Sequence, residues 1–435
     1  MGEVHNKSKK HLNFNSLLQC IKECFNTIED DRDNSKINYT LPDIFTSIFA
    51  MFYLQDKALL EFQRRFQSKI QKNNLSTVFG IEKIPSDSQL RDVIDNHSYE
   101  PILKSFKNIF SRLQRGKYLQ GYNFLDNYYL ITIDGSEYFA SENIHCEKCL
   151  RKVSKGITRY HHQILQAALV HPDMKQVIPL APEFIRNVDG NTKQDCELNA
   201  AKRIIKKINK DHPRLPIIIL GDSLYSKSPF IEELPGFSYI LTAKPKDHKT
   251  LYEDIEGFRR IGGMDNLEVT KKKDRIFKYE WVNQTPLNAN PESPLINFVE
   301  FKIMVNEKCT YRNAWVTDIE ITKENVEMVV KGGRARWKIE NEGFNTLKNH
   351  GYHLEHDFGH GKKNLSECFF LLNLLAFFFH QIFELTDLTY MKARNEFSAR
   401  VEFWNIIRSI FRLFIFESWE QVLEKINGPP VPISQ

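Results

Sequence analysis

The 435-residue chain has little to brace it apart from its own core. Its seven cysteines are odd in number and thinly spread, so no disulfide framework is implied and a reducing cytoplasm is the expected compartment. The opening stretch, MGEVHNKSKKHLNF, has no apolar segment, so no secretory signal is expected. The strongest apolar run, FFLLNLLAFFF between Cys368 and Phe379, is too short to cross a bilayer and carries Asn373. It reads as a buried core helix, which sets a membrane partner aside. Internal repeats and low-complexity tracts are absent. Charge of one sign is scarce as well. A net charge of +5 and a pI near 8.6 permit a polyanionic partner without requiring one.

What is present is an ordinary globular composition, 41% hydrophobic and 26% charged, enough for a sizeable core. Basic residues gather in four places: Lys7–Lys10; Lys202 to Lys210; Lys271–Lys273 with Arg275; and Arg334, Arg336 and Lys338. One such cluster is a solvated face; four in one chain favour nucleic acid. Through about Arg115 the apolar spacing is helical, with Pro42 in a first turn and Ser86 or Asp87 as N-caps. From Tyr128 the texture turns to strands. YYLITIDG, RYHHQILQAALVHP, KQVIPLAPEFI and RLPIIILGDS read as strands, with the amphipathic helix DCELNAAKRIIKKINK before the last. Residues 247–320 read as further antiparallel strands, and after Glu324 the chain is helical again.

Asp134 and Asp222 are each expected just past an apolar strand, where open α/β sheets place their ligands. Either one alone is a turn residue or a helix cap. Together, with an acid from a crossing helix, they would form the hard-oxygen set that two-metal phosphoryl transfer requires. The candidate third acid is Glu340, with Glu342 as its rival.

Arg336-Trp337-Lys338-Ile339-Glu340 resembles the Arg-Trp-x-Ile-Glu core of the IS4-type (Tn5-like) DDE transposase family. DGSEYFAS after Asp134 and LGDSLYSK around Asp222 resemble that family's first two acidic motifs. Two positions depart from the pattern: Gly333 stands where the family has Tyr, and Leu347, followed by Lys348, stands where it has Lys. The resemblance implies an α/β fold, with an RNase H-like catalytic core, a β-rich insertion and flanking helical N- and C-terminal regions. The boundaries expected are a helical region at 1–120 that binds DNA ends, the first part of the core at 121–246, the insertion at 247–320, the core helix of the third acid at 321–365 and a helical region at 366–435. Asp134, Asp222 and Glu340 would then be catalytic ligands of Mg²⁺ or Mn²⁺. Arg336, Lys338 and Lys348 would meet phosphates, and Trp315 would stack on an extruded base. The implied activity is cut-and-paste transposition by strand hydrolysis and strand transfer, with terminal inverted repeats and target DNA as partners and a homodimer on synapsed ends. A transposase-derived DNA-binding protein and an RNase H-like nuclease that cuts without joining are the alternatives.

Two further motifs stand outside that set. Cys146-x-x-Cys149 reads as free thiols in a packed loop, with structural zinc as the alternative; His145, His161, His162 and Cys196 are the ligands in reach. His350, His353, His356 and His360 read as a polar surface near DNA.

Overall fold

The structure, a computed structural model, describes residues 10–67, 73–187, 194–271 and 275–428; Lys7–Lys9, Lys272 and Lys273 of the basic clusters lie outside the described residues. Among the described residues twelve strands form one mixed sheet. In chain order they are β1 Asn123–Phe124, β2 Tyr128–Ser141, β3 Leu150–Ser154, β4 Ile157–Val170, β5 Ile178–Pro179, β6 Glu183–Ile185, β7 Ile217–Gly221, β8 Ser238–Thr242, β9 Asp265–Lys271, β10 Arg275–Pro286, β11 Leu295–Val305 and β12 Lys308–Thr317. The main path runs β3-β4-β2-β7-β8-β12-β11-β10-β9. Among the described residues only β2/β7 and β7/β8 pair in parallel.

That centre follows from the sequence. Every residue of β7 is buried, as a strand covered on both faces must be. A parallel neighbour needs a crossover, and the helix Glu197–Asp211 supplies it. Its Ala200, Ala201, Ile204, Ile205 and Ile208 fall on one face and pack toward β4 and β6.

Two strand readings change. β2 does not end at Asp134-Gly135; it continues to Ser141, because β4 keeps pairing with it, Asp134 opposite Gln166 and Ser141 opposite Tyr160. A long-range ladder has overridden a local turn signal. KQVIPLAPEFI holds only the short β5 and β6, since Pro179 and Pro182 cannot donate to a ladder.

The stretch 247–320 opens with a helix, Lys249–Arg260, before its four strands. These strands continue the central sheet, because β12 pairs with β8, Trp315 opposite Thr242. The buried Glu300 fastens helix to strands: Arg259 Nη2 lies 2.6 Å, Lys302 Nζ 2.8 Å and Arg312 Nη2 2.6 Å from its carboxylate. Three cations around one buried carboxylate offset the cost of taking it out of water.

The apolar run becomes the 22-residue helix Leu365–Thr386, longer than the run itself and long and apolar enough to span a bilayer by composition. It is a core helix, with N-terminal helices wrapped around it. Phe49 meets Phe379 at 4.8 Å, and Phe14 and Tyr53 meet Trp419 at 5.4 and 5.1 Å. Such ring pairs add about 0.5–1.5 kcal/mol each beyond their buried area. The first and last helical stretches thus share one core. The start of the helix Leu365–Thr386 is held from another helix: the Asp95 carboxylate accepts the backbone N–H groups of Lys362, Lys363 and Asn364, just before it, and of Leu365, its first residue, at 2.9–3.0 Å.

Candidate active site

β2 and β7 pair in parallel from Tyr129 with Ile217 to Thr132 with Leu220. Continued two residues, that register sets Asp134 beside Asp222. β7 has ended at Gly221, so the second aspartate stands at the open end of its strand. Its Oδ1 accepts the N–H of Leu224 at 2.8 Å, which fixes the turn after the strand.

Glycines flank both acids. A Cβ at Gly135 would sit 2.4 Å from Glu197 Oε2, and one at Gly221 would sit 2.8 Å from the Tyr225 ring. Neither position has room for a side chain, because Glu197 and Tyr225 fill those spaces. Tyr225 Oη donates to Glu197 Oε1 at 2.5 Å, and Gln163 Nε2 donates to Glu197 Oε2 at 3.2 Å. Glu197, in the first turn of its helix, is therefore a further carboxylate beside both aspartates. Sequence reasoning passed over it. The only local trace is the small residue next to each aspartate, which leaves space for a neighbour without saying which.

Glu340 arrives from the far side. After the helix Val326–Arg334 the backbone tightens over Ala335–Trp337 and then widens into a π-helical turn, Ile339–Phe344. Such turns are rare and often mark functional positions. Buried Arg336 bridges the third acid to the first: its Nη1 is 2.7 Å from Glu340 Oε1 and 3.2 Å from Asp134 Oδ2. Glu342 makes no such link and faces the charge of Arg400 instead. Burial raises the Asp134 carboxyl well above its usual range; Arg336 pulls it down, while Glu340 and Glu197 push it further up. Burial also raises Glu197, against the hydrogen bond from Tyr225 and with the Asp222 charge. Carboxylates placed around one internal cation offer oxygen donors alone, the kind that suits a hard divalent ion and not a soft one.

The other expected residues separate. Lys348 Nζ pairs with Glu355 at 2.8 Å, and Lys338 adds its charge near His171 and Asp173. Leu347 is buried, so the family's Lys position points into the core here. Trp315 does not present its ring to a base: β12 lies between β8 and β11, and the indole is 1% exposed. Gly333 covers it, with the site of a Cβ only 2.6 Å from the indole nitrogen. That contact also explains why this chain has no Tyr at 333. Trp337 is the exposed indole, at 48%, with the Arg336 guanidinium 4.8 Å above its ring. Cys146 and Cys149 meet His162, one of their expected partners, and also His360, which was read as surface and is buried.

A family model described as a transposase DDE domain matches residues 150–379, a stretch that takes in Asp222 and Glu340 and begins after Asp134. No curated protein sequence matches the chain. Among solved structures, the cryo-EM structure of a piggyBac transposase synaptic complex with hairpin DNA is 12% identical over 98% of this chain and 88% of that one, with a TM-score of 0.43.

Proposed function

We propose, from the premise that this chain belongs to the family of transposase DDE domains, that it is an IS4-type enzyme of cut-and-paste DNA transposition. DDE transposases use divalent metal ions. What supports the reading is the parallel β2/β7 pairing, which, continued past its last pair, sets Asp222 beside Asp134, together with the Arg336 bridge from Asp134 to Glu340. The antiparallel β2/β4 pair, followed by a crossover helix and parallel β7 and β8, supports an RNase H-like core.

Asp134, Asp222 and Glu340 would hold Mg²⁺ or Mn²⁺, which supplies an activated water for the first cut and neutralises charge on the phosphate under attack. Arg336 keeps the first and third acids together, and its guanidinium carries donors beyond those two contacts for a phosphate oxygen. Glu197 and Tyr225 are positioning residues, packed behind the aspartates and holding one another. Lys338 and Lys348 stand on the same stretch as Glu340 and favour a polyanion along it. The partners proposed are the element's terminal inverted repeats and target DNA, synapsed by two copies of the chain.

The test uses purified full chain, duplex DNA carrying the inverted repeats that flank the gene, and Mg²⁺ or Mn²⁺, beside Asp222→Asn. The expected result is cuts at the repeat boundary and joined products, both lost in the variant and with chelator. Cuts without joined products would favour the nuclease, and binding without cuts the DNA-binding protein. Cleavage that survives removal of all divalent ions overturns the mechanism.

A further inference from the structure

Four side chains from three distant segments aim their donor atoms at one point. Cys146 and Cys149 lie in the loop before β3, His162 on β4 opposite Phe139, and His360 in the segment between Glu340 and the helix Leu365–Thr386. Sγ of Cys146 and Sγ of Cys149 are 3.9 Å apart. His162 Nε2 is 3.6 and 3.5 Å from those sulfurs, and His360 Nε2 is 3.4 Å from Cys149 Sγ and 3.0 Å from His162 Nε2. All four donor atoms lie within 4.8 Å of one another.

A tetrahedron built on zinc bond lengths has edges of about 3.8 Å between sulfurs, about 3.5 Å from sulfur to nitrogen and about 3.3 Å between nitrogens. The observed separations follow that order and nearly those lengths. A disulfide would need its sulfurs at about 2.05 Å. The ring of His360 is also set for a ligand: its Nδ1 is 2.8 Å from the Gly361 carbonyl, which fixes the proton there and frees the Nε2 lone pair. The bulge in β2 between Glu137 and Phe139 turns Tyr138 onto the face of the His162 ring, 5.6 Å away and 19° from parallel. The neighbouring histidines are occupied elsewhere. His145 stacks on Tyr160 at 4.2 Å, and His161 faces Glu137 at 3.9 Å.

We propose that Cys146, Cys149, His162 and His360 form a structural zinc site. Two thiolates and two imidazoles select zinc over the hard ion suited to the carboxylates. Four protein ligands leave no open position, so the ion is a cross-link and not a catalyst. It pins the segment that follows Glu340 onto the β2/β4 hairpin that carries Asp134, and so fixes two catalytic segments against each other. The inference stands on these four residues and is independent of the transposition chemistry.

The test is zinc content of the full chain, grown with added zinc and purified without chelator, together with the visible spectrum of the cobalt-substituted protein. The expected result is roughly one zinc per chain. It should persist in Asp222→Asn, fall at least tenfold in His360→Ala and return in His360→Cys. Cobalt should give the intense absorption of a tetrahedral thiolate site in the unaltered chain, which needs no variant to fold. A folded chain with only traces of zinc, a Cys146–Cys149 disulfide in its peptides, or zinc that follows Asp222 instead of His360 overturns the proposal.

Discussion

Asp134 lies on β2 and Asp222 just past the end of β7, and the offset that pairs Tyr129 with Ile217, continued beyond Thr132 and Leu220, brings the two acids side by side. Glu340 and Glu197 place negative charge in the field at Asp134, against the pull of Arg336. A divalent ion held by the proposed acids would offset that charge and would bind only the folded chain. Mn²⁺ at one hundred times its dissociation constant should therefore stabilise the protein by about 2.7 kcal/mol. Thermal unfolding with and without Mn²⁺ checks this. Asp134→Asn should melt no lower than the parent without Mn²⁺ and lose most of the gain with it; an undiminished gain would place the ion elsewhere.

In the proposed site Glu197 and Tyr225 would support the aspartates without being ligands themselves. Tyr225→Phe removes one short hydrogen bond and keeps the ring that fills the space over Gly221. Loss of such support behind metal ligands typically costs 10- to 100-fold in metal affinity or activity. Cleavage measured against Mn²⁺ concentration should shift to higher metal by about that factor, with DNA affinity unchanged. A purely structural role for Tyr225 would lower stability and leave the metal dependence alone.

Gly333 and Trp315 make a sterically closed pair. Helix propensity alone favours Ala over Gly by about 1 kcal/mol. At 333 the added Cβ would fall 2.6 Å from the indole nitrogen, and forcing it in should give a net loss of about 1–3 kcal/mol. In a double-mutant cycle by urea denaturation, Trp315→Phe should shrink the cost of Gly333→Ala. Simple additivity would show that the two residues do not meet.

How far the sequence carried the fold depends on how local each cause was. The strand before Asp222 was legible, because an unbroken Ile-Ile-Ile-Leu run has few other uses. The strand through Asp134 was legible only to its Asp-Gly, since β4, which carries it on to Ser141, is a tertiary partner. The helix Lys249–Arg260 was overlooked although Leu251 and Ile255 gave the four-residue spacing; the β-rich text after it dominated the reading. Trp315 was misplaced because nothing near it says that β12 joins β8 and is covered. His360 and His162 stand 198 residues apart in sequence, so no spacing rule could join them.

The Asp95 cap is a contact of that non-local kind. Although burial works the other way, four backbone N–H groups hold its carboxyl below the usual range. Removing it leaves the four backbone N–H groups at the entry of the central helix without their acceptor and its favourable charge. Asp95→Ala should cost about 2 kcal/mol in chemical denaturation. A folded pKa held below the unfolded one gives stability that is present above pH 3.8 and lost as pH falls through the folded value, so the deficit should shrink on acidification.

His380 should set another part of the same acid limb, nearer neutrality. The ring is fully buried between Trp404, at 4.4 Å, and Tyr53, at 4.7 Å, and its Nδ1 is 2.6 Å from the Tyr352 hydroxyl. Burial, and after it the Arg400 charge, hold its pKa well below the ordinary 6.5. The unfolded chain therefore takes up a proton that the folded chain refuses, so stability is complete above pH 6.5 and falls as the solution is acidified below it. One such group costs about 1.4 kcal/mol per pH unit once the unfolded histidine is charged. His380→Asn has no proton to take up. Its stability relative to the parent should improve by about 1.4 kcal/mol between pH 7.5 and pH 5.5, whatever packing it loses at both. A difference that stays constant across that range would mean that His380 protonates in the folded state as readily as in the unfolded one.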